Sequence, residues 1–180
     1  MKPITVIGFL GTQLDSGRGA GRWSKWRPSV AITQHEDMVV ARMELLYTRS
    51  HVDLARLVQK DIATVSPETE VHLVELPIRD PWDFEEVYGA LYDWTSSYHF
   101  DSDSAQYWLN ITTGTHVAQI CLFLLAESRT IPGVILQASP PKRQVDGAAG
   151  NYALINLDLS RYDALATRHA QAQQDAVAFL

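Results

Sequence analysis

The sequence predicts an α/β protein: a Rossmann-like, mostly parallel sheet of about six strands flanked by helices, with the last strand pair antiparallel. Three observations carry this. Short β-rich apolar runs alternate with segments of helical periodicity, the order that builds parallel βαβ units. The first run, Ile4 to Leu10, is apolar without alternation, as in a strand covered on both faces. The last two runs, Val134 to Ala138 and Tyr152 to Leu157, have no helical segment between them. Strands joined without a crossover pair antiparallel.

The elements follow in order. Ile4-Thr-Val-Ile-Gly-Phe-Leu is a strand that runs into a glycine-rich loop, Gly11 to Gly21. Pro28 suits the first turn of a short helix reaching Glu36. Met38 to Tyr47 reads as a second strand, with Arg42 and Glu44 on a half-wet face or at a sheet edge. Leu54, Leu57, Val58, Ile62 and Val65 recur at helical spacing within 51–65. Val71 to Leu76 is the third strand. Asp80 is placed as the cap of the next helix, with Pro81 at its first position and Asp83, Glu85 and Glu86 in its first turn. Phe84, Val87, Leu91 and Trp94 form its buried stripe. Tyr107 to Thr112 is the fourth strand, and Val117 to Glu127 a helix apolar nearly all round, hence deeply packed. A loop over 139–151 separates the fifth and sixth strands. Ser160-Arg-Tyr-Asp163 fits a capping box, and an Ala/Gln-rich helix then runs to Leu180 without Gly or Pro. That open ending predicts a module removed from a longer protein, with residues 1–160 as the ligand-sensing domain and 161–180 as a helix or linker toward a further module; a natural terminal helix that frays is the alternative.

Length and composition narrow the function. With 180 residues, 46% of them hydrophobic, the chain fits one domain with a full core rather than two, and it is not a disordered segment. Its single cysteine, Cys121, cannot form an intrachain disulfide and leans toward a reducing, cytoplasmic setting. The N-terminus lacks signal-peptide character, and the longest apolar run, Ile120 to Ala126, is too short to span a bilayer. The net charge of −6 divides unevenly: +3 over residues 1–52, −9 over 53–103 and zero thereafter. An acidic body does not attract nucleic acid as a whole, but a local basic region can hold a few phosphates.

In open α/β sheets ligands bind beyond the carboxyl ends of the strands, so three loops matter. In the loop after the first strand, Gly11 and its fellow glycines let backbone amides approach a ligand, and Thr12 and Asp15 offer side chains; a flexible connection is the plain alternative. The spacing is neither Walker A nor G-x-G-x-x-G. Arg18, Arg22, Trp23, Lys25, Trp26 and Arg27 follow with no acid among them, a mixture that suits stacking plus phosphate contacts with single-stranded RNA. Tryptophans packed on the body, with solvated cations, is the competing reading. The second loop, Asn110-Ile-Thr112-Thr113-Gly114-Thr115-His116, opens a helix and presents hydroxyls and amides suited to phosphate, although Thr113 or Thr115 serves equally as an N-cap and His116 as a structural hydrogen-bonder. The third loop supplies Lys142 and Arg143 for the same anion, or for solvent. The six histidines and one cysteine have no metal-ligand spacing, no G-x-S-x-G is found, and no cofactor is expected. The residues describe a binder of a phosphorylated ligand without a catalytic engine.

The stretches VIGFLGTQLDSGRGAGRWSKWRPS, QHEDMVV, LPIRDPWDFEEVYGALYDW, NITTGTHVAQICLFLLAE, LQASPPKR and INLDLSRYDA together resemble the N-terminal domain of the RtcR family, transcriptional activators of RNA-repair (RNA terminal phosphate cyclase) operons. The resemblance covers essentially the whole chain. It implies a CARF domain, the CRISPR-associated Rossmann fold, which dimerises and binds nucleotide or oligonucleotide ligands at the dimer cleft. It implies that a AAA+ ATPase acting on sigma-54 RNA polymerase and a helix-turn-helix DNA-binding domain follow in the longer protein, which forms higher oligomers. Ligand contacts carried over by the resemblance fall on Gly11, Thr12 and Asp15, then on Thr112, Thr113, Gly114, Thr115 and His116. The commoner CARF loop reads T-G-G-T; Thr-Gly-Thr here lacks the doubled glycine, which weighs against a cyclic oligoadenylate. The leading expectation is therefore a sensor of RNA ends, 2′,3′-cyclic phosphate RNA or tRNA fragments. The alternative is a cyclic oligoadenylate-binding domain with metal-independent ring nuclease activity assisted by His116, Lys142 or Thr113. A module that only dimerises is a third.

Overall fold

A computed structural model describes residues 1–143, 145–156 and 163–178. Six strands form one sheet in the order β3-β2-β1-β4-β5-β6: β1 (Ile4–Phe9), β2 (Val40–Tyr47), β3 (Glu70–Glu75), β4 (Gln106–Asn110), β5 (Gly133–Ser139) and β6 (Asn151–Ile155). All neighbours are parallel except β5 and β6, which pair antiparallel. The expected α/β, Rossmann-like sheet is thus the observed one. Strand order reverses at β1, whose Gly8 lies beside Leu45 on one side and Asn110 on the other.

The helices cover both faces. α1 (Pro28–Ala31) and α2 (Val52–Val65) share a core with Ile4, Val6, Met43 and Leu45. α3 (Phe84–Ser97) and α4 (His116–Glu127) share the other with Ile7, Phe9, Leu46 and Leu109. Alternate residues of β1 therefore enter opposite cores, and all six are buried, which explains its unbroken apolar run. α5 (Asp163–Ala178) carries exposed residues over 167–178. The capping box expected at Ser160 lies outside the described residues.

Several boundaries and faces differ from expectation. The first helix ends at Ala31, not Glu36, and continues only as a turn. β2 is interior, between β1 and β3, and Glu44 is buried rather than half-wet. The strand tolerates this because Glu44 accepts hydrogen bonds from Arg42 Nε and from Tyr98 Oη at 2.9 Å. α3 is capped by Asp83, whose carboxylate accepts the Glu86 amide at 2.9 Å, and not by Asp80. Glu86 reaches back to the Arg79 and Asp80 amides, and Asp80 instead turns the chain by accepting the Trp82 amide. Proline at position 81 thus sits in a pre-helical turn. Val87 and Leu91 are buried as expected, whereas Phe84 is exposed. α4 is not deeply packed all round: Val117, Ala118, Cys121, Leu122, Leu125 and Ala126 are buried, but Ile120, Phe123 and Leu124 are 47%, 37% and 39% exposed.

Candidate functional site

The loop after β1 is organised from inside. Asp15 is wholly buried. Its carboxylate accepts the Gly11 amide at 2.7 Å, the Ser29 amide at 2.9 Å and the Ser29 hydroxyl at 2.6 Å. Burial pushes its pKa up, and these hydrogen bonds with the Arg27 charge pull against that. Asp15 therefore staples the loop to the start of α1, and its oxygens are committed within the protein. Gly11 is needed for close approach: a β-carbon there would lie 2.9 Å from both Asp15 Oδ2 and Thr113 Cγ2.

The basic, tryptophan-containing segment is folded onto the body. Arg27 Nη1 donates to Asp61 Oδ2 at 2.7 Å, and Arg22 binds both Asp61 oxygens at 2.8 and 3.0 Å. Burial alone would raise the Asp61 carboxyl, but the hydrogen bonds and charges of Arg22 and Arg27 outweigh it and hold the group below its ordinary value. Both guanidinium groups stand over the Trp23 ring, 5.2 and 5.0 Å from its centroid. Trp26 Nε1 donates to the Ala149 carbonyl at 3.0 Å, which ties the β5–β6 loop to this segment. Lys25 Nζ donates to the Gln13 carbonyl and to Ser16. The competing reading of this stretch, tryptophans packed on the body, is the one observed. Two of its cations, Arg22 and Arg27, are paired with Asp61 on α2 rather than solvated. Arg18 is exposed, as are Lys142 and Arg143 on the β5–β6 loop.

The loop after β4 uses its polar side chains to hold its own shape. Asn110 is buried and accepts the Thr112 amide at 3.0 Å. Thr112 accepts the Ala138 amide of β5 at 2.7 Å. Thr113, buried, donates to the Phe9 carbonyl. Thr115 caps α4 by accepting the Ala118 amide at 3.1 Å and donates to the Pro81 carbonyl at 2.8 Å. These hydroxyls lock β1, β5 and the β3–α3 loop around the switch point. Gly114 has φ +92°, and a β-carbon there would lie 3.0 Å from Phe9 Cβ. Gly114→Ala is expected to cost about 2 kcal/mol of stability, read as a lower urea midpoint; an unchanged midpoint would mean that this loop is not rigidly held.

These loops wall a cavity of about 240 Å³ at the carboxyl ends of β1 and β2. Thr12, Gly114 and Thr115 line it, at the edge where open α/β sheets take ligands. Leu10, Leu46 and Ile78 give it apolar walls, and Trp82 forms an exposed lip. His116, exposed, meets the Trp82 ring edge-on at 5.0 Å. Sequence reasoning did not single out Tyr47, Thr48 and His51 after β2, or Pro81 and Trp82 before α3, as site residues, yet all of them border this space. The signal for Trp82 was present in its place beside the Asp80-Pro81 turn. The segment after β2 has no comparable mark, since Thr-Arg-Ser-His matches no phosphate motif. Cys121 is buried and burial pushes its thiol up to about 11, so it offers no reactive thiolate. Among the described residues no group of three or more His, Cys, Asp or Glu is placed to hold a metal ion, and no helix is long and apolar enough to cross a membrane.

Comparisons with known proteins place this geometry. Residues 2–180 match the family described as RtcR, regulator of RNA terminal phosphate cyclase. The chain is 48% identical over 182 residues to the transcriptional regulatory protein RtcR of Escherichia coli (strain K12), a match that takes in 100% of this chain and 34% of that protein. It therefore spans about a third of the length of that curated relative. Among solved structures it is similar to Enterococcus italicus Csm6 bound to cyclic hexa-2′-fluoro-hexa-dAMP, with a TM-score of 0.62 at 14% identity over 99% of this chain and 48% of that one. Can2 from Sulfobacillus thermosulfidooxidans in complex with cyclic tetra-adenylate matches with a TM-score of 0.49 at 17% identity, over 76% of this chain and 32% of that one. At 14% identity the likeness to Csm6 concerns the fold.

Proposed function

The chain belongs to the RtcR family, regulators of RNA terminal phosphate cyclase, and from that premise we propose that it is a ligand-sensing regulatory domain that binds RNA ends at a cleft between two copies of itself. The ligand is RNA carrying a 2′,3′-cyclic phosphate, or tRNA fragments. Binding would control a AAA+ module in the longer protein, and contact with sigma-54 RNA polymerase and with DNA would belong to the two-thirds of the relative that this chain does not span.

The observation that carries the reading is the cavity at the carboxyl edge of the strands, beside the reversal of strand order. This is where open α/β sheets take ligands. Pockets that enclose drug-sized molecules run from about 300 to 1,000 Å³, so the space of about 240 Å³ within one copy suits a single nucleotide residue. The second copy is argued from the α3–α4 face. Ile120, Phe123 and Leu124 on α4, with Phe84 and Tyr92 on α3, remain exposed on neighbouring helices, and apolar patches of this kind mark interfaces.

The test is a fluorescence anisotropy titration of one short RNA bearing either a 2′,3′-cyclic phosphate or a 3′-hydroxyl, at two salt concentrations, with cyclic tetra-adenylate as competitor. Tighter binding of the cyclic-phosphate RNA with a modest salt slope is the expected result. Equal binding of both ends, with efficient competition by the ring, would replace the reading with a cyclic oligoadenylate sensor. Incubation with that ring and analysis for linear products would then follow.

A further inference from the structure

The cavity beside β1 and β2 has a mixed lining. Aliphatic and aromatic side chains line it, among them Leu10, Leu46, Ile78 and Trp82. Polar ones line it too, among them Thr12, Gln13, Thr48 and His51. His51 is fixed there: its Nδ1 lies 3.1 Å from Ser50 Oγ and 3.4 Å from Thr48 Oγ1. With Nδ1 engaged by these hydroxyls, Nε2 is the ring atom that remains for a ligand. Trp82 is held where a stacking platform must be. Its amide donates to Asp80, the preceding Pro81 carbonyl is tied to Thr115, and its ring meets His116 edge-on. The indole is therefore exposed but positioned.

We propose that this cavity takes the terminal nucleotide of the RNA, with its base against Trp82 and its ribose-phosphate end at Thr48 and His51. The inference rests on the RNA-end reading above and goes further, by naming which part of the ligand enters and which residues read it. A nucleobase has an apolar face and polar edges, matching an aromatic lip and polar side chains in one lining. A terminal base is unstacked on one side and enters such a pocket without opening a duplex. The hydroxyls of Thr113 and Thr115 already donate to backbone carbonyls, so neither is free to donate to a phosphate.

A double-mutant cycle tests it. Two RNAs of equal length share the 2′,3′-cyclic phosphate, one with a base on the terminal nucleotide and one abasic there, and both are titrated into the wild-type chain, Trp82→Ala and His51→Gln. Trp82 and His51 lie at the rim rather than in the core, so thermal midpoints should hold. Removing the base, or Trp82, should each weaken binding about tenfold, in line with base–aromatic stacking, and removing both should cost no more than either alone. His51→Gln should weaken the cyclic-phosphate RNA while leaving a 3′-hydroxyl RNA unchanged. If the abasic and intact RNAs bind the wild type alike while the cyclic phosphate is still preferred, the nucleotide pocket is overturned and the end-sensing reading stands. If neither RNA binds the wild type, both fall.

Discussion

Replacing Arg27 by methionine should destabilise the fold by about 1.5 to 3 kcal/mol, the cost of losing a buried hydrogen bond to a charged group while Arg22 stays on Asp61. Arg22→Met should cost about 1 kcal/mol, the upper end for a pair that water can reach. Both side chains bind Asp61, yet the Arg27 side chain is 2% exposed and that of Arg22 is 16% exposed. Water can compensate the loss of Arg22, but little reaches the Arg27 site. Against a total stability of roughly 5 to 15 kcal/mol, the first loss is large and would appear directly in urea unfolding. The triple variant Arg22→Met, Arg27→Met, Asp61→Leu should recover much of it, because apolar groups of similar volume can replace a buried ionic cluster at little cost. Equal effects of the two arginine substitutions would show that Asp61 does not organise this region.

The pH dependence has a definite sign. The Asp61 carboxyl is held below its ordinary value of 3.8 in the folded chain. Its contribution is therefore complete above that value and is lost as the pH falls below it. Asp15 works in the opposite direction, since burial raises its pKa: the folded state takes up its proton more readily than the unfolded one, so protonation of Asp15 on acidification favours folding. Asp61→Leu in the Arg27→Met background should flatten the acid limb of the stability curve, and Asp15→Asn should steepen it.

These two aspartates mark the boundary of what was legible in the sequence. The mostly parallel sheet, the antiparallel last pair and the two-sided burial of β1 follow from alternation and apolar runs, which are local and periodic; the strand order carries no such mark. The cluster of Arg22, Trp23, Trp26 and Arg27 looked like a nucleic-acid surface because no acid lies within the stretch itself. Its counter-charge comes from Asp61 on α2, 34 residues from Arg27. In the same way the hydroxyls of Thr113 and Thr115 read as available because their acceptors, the carbonyls of Phe9 and Pro81, belong to distant segments and are backbone groups with no sequence signature. Periodicity reveals which face of an element is buried. Only the closed fold reveals which polar atoms are already used.

The same limit applies to α4, and it sets the last expected result. From composition its helix reads as buried on every side, yet one flank is open to solvent at Ile120, Phe123 and Leu124. The helix carries more apolar surface than the sheet and α3 together cover, and under the proposed reading a second copy covers the rest. Phe123→Glu should then abolish dimerisation at micromolar concentration, weakening self-association by at least about thirtyfold as expected for an interface hot spot. Analytical ultracentrifugation would show the change in mass, and far-UV circular dichroism would show that the fold is kept. Val145→Glu, a comparable apolar-to-acid change at an exposed valine on the β5–β6 loop, should leave the mass unaltered. RNA affinity separates two architectures. If the ligand bridges the two copies, Phe123→Glu should lower affinity for the cyclic-phosphate RNA together with the loss of the dimer. If each cavity works alone, the monomer should retain the affinity of one site, and the second copy would serve to transmit the bound state rather than to create it. A wild-type chain that is monomeric at these concentrations, with Phe123→Glu indistinguishable from it, would remove the second copy from the account.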